Sequence, residues 1–317
     1  MKILITGSSG FLGYAIRKFL DEKGYETYGT TRSRPPLDKR EFVFDINKDS
    51  CATVFNDIDF DVIIHTIGLL DDNARFKTLK QTNVDGTRKI IDYAKQKNCK
   101  NFIYLSSVSV YGFRTLGQNR DEYSTKIRPH FLFSKYSRSK AQAEVVVLKS
   151  GIPFTVLRLP LMIGKGDCMV SPKLVELIKN KQVFYFGKGK KLISIMPVDN
   201  LCELISILIE KPAYNQSFHV PSYHIPLDLF LNKHSSLIQT PFQKMKPSIF
   251  ISWGKLNNMA KIILAFSWRG AHFQDSLIRK LLPEYHDLIS WDNAIIQALN
   301  NKNTRFNTPI SVKIQPV

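Results

Sequence analysis

The sequence predicts an α/β protein in which a parallel sheet is wound with helices on both faces and is followed by a smaller, mostly helical C-terminal lobe. Three observations lead to this fold class. Short apolar runs without polar alternation recur through the first half of the chain, as expected for strands that are covered on both faces. Amphipathic stretches separate these runs, and alternating strands and helices with short links are typical of a doubly wound sheet. Beyond about residue 161, prolines and glycines become frequent and the strand signal weakens.

The chain begins with a strand, a glycine-rich turn and a helix in immediate succession. The strand is the apolar run from Ile3 to Thr6, and apolar residues recur at spacings of three and four in the helix that follows. The turn between them carries Gly7, Gly10 and Gly13 in the spacing GxxGxxG. Such a turn can seat a pyrophosphate on the free N–H groups of a helix N-terminus, where the helix dipole favours anions. This context predicts a dinucleotide site at the start of the chain.

The remaining elements follow in alternation. Strands are predicted at 25–30, 42–44, 61–68, 101–107 and 154–160, and helices at 78–96, 134–150, 170–181 and 199–211. The region 220–295 is expected to be mostly helical. Within it, 248–268 is expected to form an amphipathic helix that lies on the core or, alternatively, touches a membrane surface. Because no stretch offers the roughly 18 uninterrupted apolar residues of a membrane span, we expect no transmembrane helix.

The amino-acid composition indicates the cellular compartment of the protein and the charge of its binding partners. The chain has 317 residues, with 45 Lys and Arg against 27 Asp and Glu, a formal charge of +18. This surplus favours anionic partners such as nucleotide cofactors and phosphorylated substrates, but no nucleic-acid-binding signature accompanies it, and we expect no nucleic-acid partner. The four cysteines form no CxxC pair, which argues against a metal site or disulfides. A reducing, cytoplasmic location is therefore expected.

The segment YSRSK at 136–140 places a phenol and an amine on one predicted helix face. Tyr136 and Lys140 are four residues apart and can act on the same spot. A free phenol, with a pKa near ~10, is a poor base at neutral pH, but a neighbouring ammonium stabilises the phenolate. A Tyr and a Lys at this spacing also occur together by chance on helix surfaces. The segment alone leaves both interpretations open.

The segment SSVSVYG at 106–112 supplies hydroxyl groups at the end of a predicted strand. Ser106 and Ser107 lie at its carboxyl end, the edge where open α/β sheets bind their ligands. A hydroxyl there could hydrogen-bond a substrate oxygen and align it against Tyr136. Serine also caps strand ends without any catalytic role, and this second interpretation stays open on the segment alone.

Six segments together resemble a known superfamily. TGSSGFLG, DVIIH, NVDGT, LSSVSVYG, YSRSK and LRLP occur in the order and spacing of the extended short-chain dehydrogenase/reductases. The likeness covers roughly residues 1–210 and is closest to the NAD-dependent epimerase/dehydratase family, which acts on nucleotide sugars. It implies a Rossmann fold, a bound NAD or NADP, and a homodimer formed through two helices, one of them at 134–150.

The resemblance also implies roles for individual residues. The pyrophosphate would be held by the first turn and the start of its helix, at Gly7, Ser9, Gly10, Phe11, Leu12 and Gly13. Asp45 and Ile46 would contact adenine, His65 would approach the cofactor, and Asn83 would support the active site. Ser107 stands at the position of the catalytic Ser or Thr, Tyr136 at that of the acid–base residue, and Lys140 at that of the residue that binds the nicotinamide ribose. The substrate would meet Ser107, Ser109, Lys190 and Lys191.

Two departures from the family pattern narrow the chemistry. Dehydratases carry an acidic residue next to the catalytic hydroxyl, whereas Ser107 is followed by Val108 and Ser109, so dehydration is disfavoured. The second strand ends in YGTTRSR and not in an acidic residue. Since an acidic residue there selects NAD and an arginine accommodates a 2′-phosphate, Arg32 and Arg34 favour NADP. NAD remains the alternative if both arginines are plain surface residues.

These inferences combine into one prediction of organisation and activity. Residues 1–165 are expected to form the dinucleotide-binding Rossmann domain, with 190–215 returning to it, 166–305 the substrate-binding lobe and 306–317 a tail. The expected activity is that of an NAD(P)-dependent oxidoreductase acting on a ring carbon, C4, of a nucleotide sugar. A nucleotide-sugar 4-epimerase needs the same residues and is the first alternative. A dehydrogenase of apolar alcohols and a non-catalytic cofactor-binding scaffold are further alternatives.

Overall fold

The computed structural model describes residues 1–55, 58–71, 73–112, 117, 119–122, 134–183, 187–241 and 258–300. The predicted tail at 306–317 and the first half of the expected helix at 248–268 lie outside these ranges. The strands are β1 (Lys2–Thr6), β2 (Glu26–Thr31), β3 (Glu41–Val43), β4 (Val62–His65), β5 (Asn101–Ser107), β6 (Phe154–Leu159), β7 (Leu161–Ile163), β8 (Leu192–Pro197), β9 (Gln216–His219) and β10 (Tyr223–Pro226).

The larger sheet has seven strands in the order β3-β2-β1-β4-β5-β6-β9, and all of its neighbouring strands are parallel. Its order runs outward in both directions from β1, as in a doubly wound sheet. The fold class predicted from the apolar runs is therefore confirmed.

The helices are α1 (Phe11–Glu22), α2 (Cys51–Val54), α3 (Phe76–Lys80), α4 (Gly86–Gln96), α5 (Lys135–Leu148), α6 (Ser171–Lys179), α7 (Val198–Glu210), α8 (Leu227–Leu237), α9 (Asn258–Arg269), α10 (Ser276–Leu281) and α11 (Trp291–Asn300). A π-helical turn, Gln81–Asp85, joins α3 to α4, and a 3-10 turn, Val108–Tyr111, follows β5. Within the described ranges, no helix has both the length and the apolar character needed to cross a membrane.

Helices cover both faces of the larger sheet, and this explains why its strands are apolar throughout. In β1, Ile3 and Ile5 pack with α1 and α7 on one face, whereas Leu4 packs with α4 and α5 on the other. All three side chains are fully buried. Because the strand alternates its side chains between two covered faces, both positions must be apolar.

The lobe after β6 contains a second sheet of three strands in the order β10-β8-β7. It packs with α6, α8, α9 and α11 around a separate apolar cluster that includes Ile163, Leu174, Ile193 and Ile295. The four strands β7 to β10 were not predicted from the sequence. β7, β9 and β10 have only three or four residues, and β9 and β10 carry polar side chains such as those of Gln216 and Tyr223, so neither shows an apolar run. β8 has six mostly apolar residues, a signal that was present in the sequence.

Candidate active site

The glycine-rich turn after β1 brings the start of α1 against the end of the sheet. Gly7 has a φ of +77°, which favours glycine, and Gly10 N donates to Gly7 O over 2.9 Å. A Cβ on Gly13 would lie 2.7 Å from the Gly7 carbonyl carbon and 2.9 Å from Thr66 Oγ1. Only glycine therefore allows α1 to begin this close to β1.

The first turn of α1 fits an anion such as a pyrophosphate. Gly10 is exposed and is the N-cap of this 12-residue helix, and within the described part of the chain no side chain caps it and no acidic residue stands in its first turn. The N–H groups of the first turn have no partner within the helix itself. Their partial positive charge suits a phosphate, and the adjacent Ser9, Phe11 and Leu12 are only half-buried.

The lobe reaches the same turn through the loop that follows β7. A Cβ on Gly166 would lie 3.3 Å from the Phe11 ring. In the same loop, the buried Asp167 accepts hydrogen bonds of 2.8 Å from the backbone N–H groups of residues 169, 170 and 171, and so fixes the start of α6. The two parts of the chain therefore meet directly beside the candidate phosphate site.

Two serines end β5, and only Ser107, where the resemblance places the catalytic hydroxyl, is partly exposed. Ser106 is buried, and its Oγ donates a hydrogen bond to Glu144 within the protein interior. Ser107 is half-buried, and its Oγ accepts from the N–H of Ser109 over 3.1 Å, which starts the 3-10 turn. The Oγ of Ser109 is itself buried and has no partner among the described residues.

The first two turns of α5 carry Tyr136 and Lys140 on one face. Tyr136 is half-buried, whereas Lys140 is 5% exposed. Lys140 Nζ donates to the carbonyl oxygen of Leu105 over 2.7 Å and lies 4.4 Å from the ring centre of Tyr104. Burial lowers the pKa of Lys140 to about 7, against the opposing effect of the Glu144 charge. The backbone of β5 thus holds the amine two residues before Ser107.

A buried network of hydrogen bonds links α5, through Glu144, to β6 and β9. Arg158 on β6 donates to Glu144 Oε1 through Nε and Nη2, over 2.9 and 2.7 Å, and to Tyr111 Oη over 2.6 Å. Tyr111 Oη in turn lies 2.7 Å from His219 Nε2, at the end of β9. Sequence reasoning missed this network. The only local signal for it is the position of Glu144, one helical turn beyond Lys140.

Asn83 connects the loop after β4 to α5. It lies in the π-helical turn, 1% exposed, and its Oδ1 accepts from Leu69 N over 2.7 Å. Its Nδ2 donates to Leu69 O over 3.1 Å and to Ser139 Oγ over 2.8 Å. The amide therefore holds the loop after β4 against Ser139, the residue next to Lys140.

His65 is the last residue of β4, and its ring is enclosed by the protein. The side chain is fully buried, with Nδ1 2.7 Å from Thr6 Oγ1 and Nε2 3.1 Å from Thr87 Oγ1. Burial, followed by the charge of Lys140, lowers the pKa of His65 to about 3, so the ring is neutral at neutral pH. The ring thus joins β1, β4 and α4, and its predicted approach to the cofactor stays a prediction.

The residues expected at the adenine end lie after β3. Asp45 is half-buried, and its Oδ1 accepts from Asn47 N over 3.0 Å, which fixes the local turn. Ile46 is 4% exposed and packs on α4, where a Cβ on Gly86 would lie 2.8 Å from Ile46 Cδ1. Asp45 is therefore the more accessible of the two side chains.

Two of the four predicted cationic contacts are already engaged within the protein. Arg34 donates to both carboxylate oxygens of Glu41, over 2.6 and 2.8 Å, so its terminal nitrogens already have partners within the protein. Lys190 forms an ion pair of 3.2 Å with Asp228. Arg32 and Lys191 are exposed, and within the described residues Arg32 has no hydrogen bond or ion pair.

The sequence matches one family model and several characterised proteins. The family model described as the NAD dependent epimerase/dehydratase family matches residues 3–221. The chain is 25% identical over 300 residues to 4-hydroxy-2-methyl-3-oxo-4-farnesyl-3,4-dihydroquinoline-1-oxide ketoreductase of Stigmatella aurantiaca, covering 90% of this chain and 83% of that protein. It is also 25% identical to N-acetyl-alpha-D-glucosaminyl-diphospho-ditrans,octacis-undecaprenol 4-epimerase of Escherichia coli O157:H7, covering 79% of this chain and 75% of that protein.

Two solved structures illustrate the shared fold. The UDP-glucose 4-epimerase of Thermotoga maritima with UDP-glucose superposes with a TM-score of 0.74 at 16% identity, covering 94% of this chain and 97% of that one. The Bordetella bronchiseptica enzyme WbmH in complex with NAD⁺ gives a TM-score of 0.76 at 16% identity, with the same coverage of 94% and 97%. At this identity the superposition concerns the fold alone.

Proposed function

Because this chain belongs to the NAD-dependent epimerase/dehydratase family, we propose that it is an NADP-dependent oxidoreductase that acts on a ring carbon, C4, of a nucleotide sugar. One observation carries the proposal. The half-buried Ser107 and Tyr136 and the buried Lys140 belong to the end of β5 and the start of α5, at the same carboxyl edge of the sheet as the uncapped N-terminus of α1. Open α/β sheets bind nucleotide ligands at this edge.

Each of the three residues has one task in the proposed reaction. A bound nicotinamide would supply a hydride to the substrate carbonyl carbon or accept one from the carbinol carbon. The Tyr136 hydroxyl would give a proton to the carbonyl oxygen in reduction and take it back in oxidation. The Lys140 ammonium would stabilise the phenolate, and the Ser107 hydroxyl would hold the substrate oxygen by a hydrogen bond.

The preference for NADP rests on Arg32. It follows β2 directly and is exposed, so it can approach the 2′-phosphate on the adenosine side. Arg34 cannot serve in the same way while Glu41 holds both of its terminal nitrogens. NAD would be preferred if Arg32 points away from the bound ribose.

The preference for an anionic substrate rests on charge and on relatives. The formal charge of +18 favours a diphosphate-bearing ligand. The Escherichia coli relative is named as an epimerase of a diphospho-linked sugar. The Stigmatella relative is named as a ketoreductase of a farnesylated quinoline, which favours an apolar ketone as the alternative substrate.

The test is turnover with a defined control. The purified protein is assayed with NADPH and NADH against a panel of UDP- and dTDP-keto sugars and a panel of apolar ketones. Tyr136→Phe is expected to lower kcat roughly 10²- to 10⁴-fold with little change in cofactor affinity, because it removes only the proton donor. Tyr28→Phe is the control, since that phenol lies on β2 and donates to the exposed Glu26. Full turnover by Tyr136→Phe would contradict the proposed role of Tyr136. Absence of turnover by the wild-type protein with both panels would instead favour a non-catalytic scaffold.

A nucleotide-sugar 4-epimerase is the second candidate. It would use the same three residues but would return the hydride to the opposite face of the keto intermediate. Purified protein that retains NAD, and that interconverts two sugars without net consumption of cofactor, would favour the epimerase.

We also propose a cytoplasmic homodimer in which the partly exposed side of α5 faces its copy. Gln142, Val145 and Val146 on this side are only half-buried in the single chain. Light scattering of the purified protein tests the oligomeric state, and Val145→Glu would be expected to weaken the dimer by placing a charge in the interface.

A further inference from the structure

Glu41 forms a buried acceptor site between the first two helix–strand units. It begins β3 opposite Gly29 of β2, and its side chain is fully enclosed. Its carboxylate accepts from Ser8 Oγ over 2.6 Å, from Arg34 over 2.6 and 2.8 Å, and from the N–H of Leu37 over 2.8 Å. Arg17 of α1 adds an ion pair of 3.5 Å.

The contact with Ser8 reaches from the glycine-rich turn across β2. A Cβ on Gly29 would lie 2.9 Å from Ser8 Cβ, so the absence of a side chain on Gly29 lets Ser8 approach Glu41. Ser8 is 1% exposed, and the neighbouring Gly7 N–H donates to Thr30 Oγ1 over 2.8 Å. The turn that would carry the pyrophosphate is therefore held in place by side chains of β2 and β3.

The same carboxylate holds the loop between β2 and β3, which carries both candidate arginines. Burial acts to raise the pKa of Glu41, but hydrogen bonds from Arg34, Ser8 and the Leu37 N–H hold it below its usual value. The carboxylate is therefore ionised at neutral pH and neutralises Arg34 in a bidentate pair. Arg32, two residues earlier, lies outside this pair.

We propose that Glu41 is a cofactor-positioning and specificity-determining residue: it ties Ser8 of the pyrophosphate turn to the β2–β3 loop and keeps Arg34 away from the adenosine 2′-phosphate, which it leaves to Arg32. The inference rests on the proposed binding of a dinucleotide. It assigns different functions to two arginines that the sequence presents as equivalent.

The test is the ratio of the dissociation constants for NADH and NADPH, measured by fluorescence titration of the full-length protein. Arg32→Ala is expected to weaken NADPH roughly tenfold or more and to leave NADH almost unchanged, because a charge-assisted contact to one phosphate is lost. Arg34→Ala is expected to leave the ratio unchanged, since this guanidinium acts on Glu41.

Glu41→Gln distinguishes a role of Glu41 in cofactor specificity from a role in protein stability alone. It frees the Arg34 charge, so the ratio is expected to shift toward NADPH by roughly threefold, the effect of one partly exposed ion pair. The double variant with Arg34→Ala should lose this shift. A merely structural role would weaken both cofactors alike and leave the ratio where it is in the wild type.

Glu26→Gln is the matched control. Glu26 is exposed at the start of β2, and its carboxylate accepts from Tyr28 and bonds none of Ser8, Arg17 and Arg34 among the described residues, so neither the dissociation constants nor their ratio should move. If Glu41→Gln does not fold, Arg34→Ala alone decides the question.

A selective loss of NADPH affinity in Arg34→Ala, or an unchanged ratio in folded Glu41→Gln, would overturn the assignment while leaving the dinucleotide site intact. Wild-type protein that binds neither cofactor would instead overturn the proposed function, and this inference with it.

Discussion

Lys140 Nζ donates a 2.7 Å hydrogen bond to the backbone carbonyl of Leu105, and so the amine of the candidate site is held by the strand that ends at Ser107. The bond joins α5 to β5 without any contribution from a ligand. The position of Lys140 relative to Ser107 is therefore set by folding, as preorganised catalytic groups require.

The burial of Lys140 has a consequence for pH dependence. Burial lowers its pKa to about 7, so the ammonium is lost as the pH rises through that value. Since the charged form stabilises the Tyr136 phenolate, we expect kcat/KM to fall on the alkaline side with an apparent pKa near 7. Lys140→Arg keeps a cation at all accessible pH values and should remove this limb. The measurement is the pH profile of kcat/KM, which reports the free enzyme.

Glu144 should move the same limb. Its charge raises the pKa of Lys140, so Glu144→Gln is expected to shift the alkaline limb to lower pH. Glu203→Gln is the control, because Glu203 pairs with Lys23 near the surface. An alkaline limb that stays in place in Glu144→Gln would show that the titrating group is not Lys140.

Alanine substitutions at Gly13 and Gly10 should have different effects on the free energy of unfolding and on cofactor affinity. Gly13→Ala places a methyl group 2.7 Å from the Gly7 carbonyl carbon, and this overpacking is expected to cost about 1–3 kcal/mol in the free energy of unfolding. A Cβ on Gly10 meets nothing nearer than 3.4 Å. Gly10→Ala should therefore cost less stability in the cofactor-free protein than Gly13→Ala, with only the loss of a favourable N-cap residue, and should weaken cofactor binding.

Urea unfolding without cofactor and fluorescence titration with NADPH measure the two effects. The result that contradicts this account of the turn is a Gly13→Ala protein as stable as the wild type.

Asn83→Asp tests the link between the loop after β4 and α5. The carboxylate can still accept from Leu69 N but loses the two donors to Leu69 O and Ser139 Oγ. We expect unfolding to become easier by about 1–3 kcal/mol, because a buried group loses its partners, and kcat to fall because the loop after β4 is held less firmly against α5. Asn98→Asp is the control, since Asn98 is exposed and has a φ of +48° that both residue types adopt. Equal stability of the two variants would contradict the proposed link.

Three buried histidines should make the protein sensitive to acid. Burial lowers the pKa of His65 and His219 to about 3 and that of His234 to about 4. Between the usual value of ~6.5 and these values the unfolded chain binds protons that the folded chain does not, so stability falls as the pH falls. Each histidine contributes up to about 2 kcal/mol of this loss at pH 5.

His234→Leu should reduce the difference in unfolding free energy between pH 7 and pH 5, because that position no longer titrates. His286→Leu is the control, since His286 is an exposed position. Parallel stability curves for the wild type and His234→Leu across this range would contradict the prediction.

The sequence predicts best what depends on neighbours along the chain. The strand Ile3 to Thr6, the turn at Gly7 and the helix after it are local patterns, and the structure has all three. It also has Tyr136 and Lys140 on one helix, as the spacing indicates.

Contacts between distant segments could not be predicted in this way. Glu41 lies seven residues from Arg34 and 33 from Ser8, and no periodicity relates them. Ser106 and Ser107 are adjacent and identical residues. Because successive side chains of a strand point to opposite faces of the sheet, only Ser106 can donate to Glu144. The short strands β9 and β10 likewise become visible only through their pairing partners.

The orientation of Asn83 depends on the number of residues in the π-helical turn Gln81–Asp85. Its wider i→i+5 pattern accommodates one residue more than an α-helical turn. Deleting a single residue there would regularise the helix and rotate Asn83 by about 100°, turning its amide away from Leu69 and Ser139. Chimeras or grafts that exchange this helix must therefore conserve the number of residues in the turn as well as the asparagine.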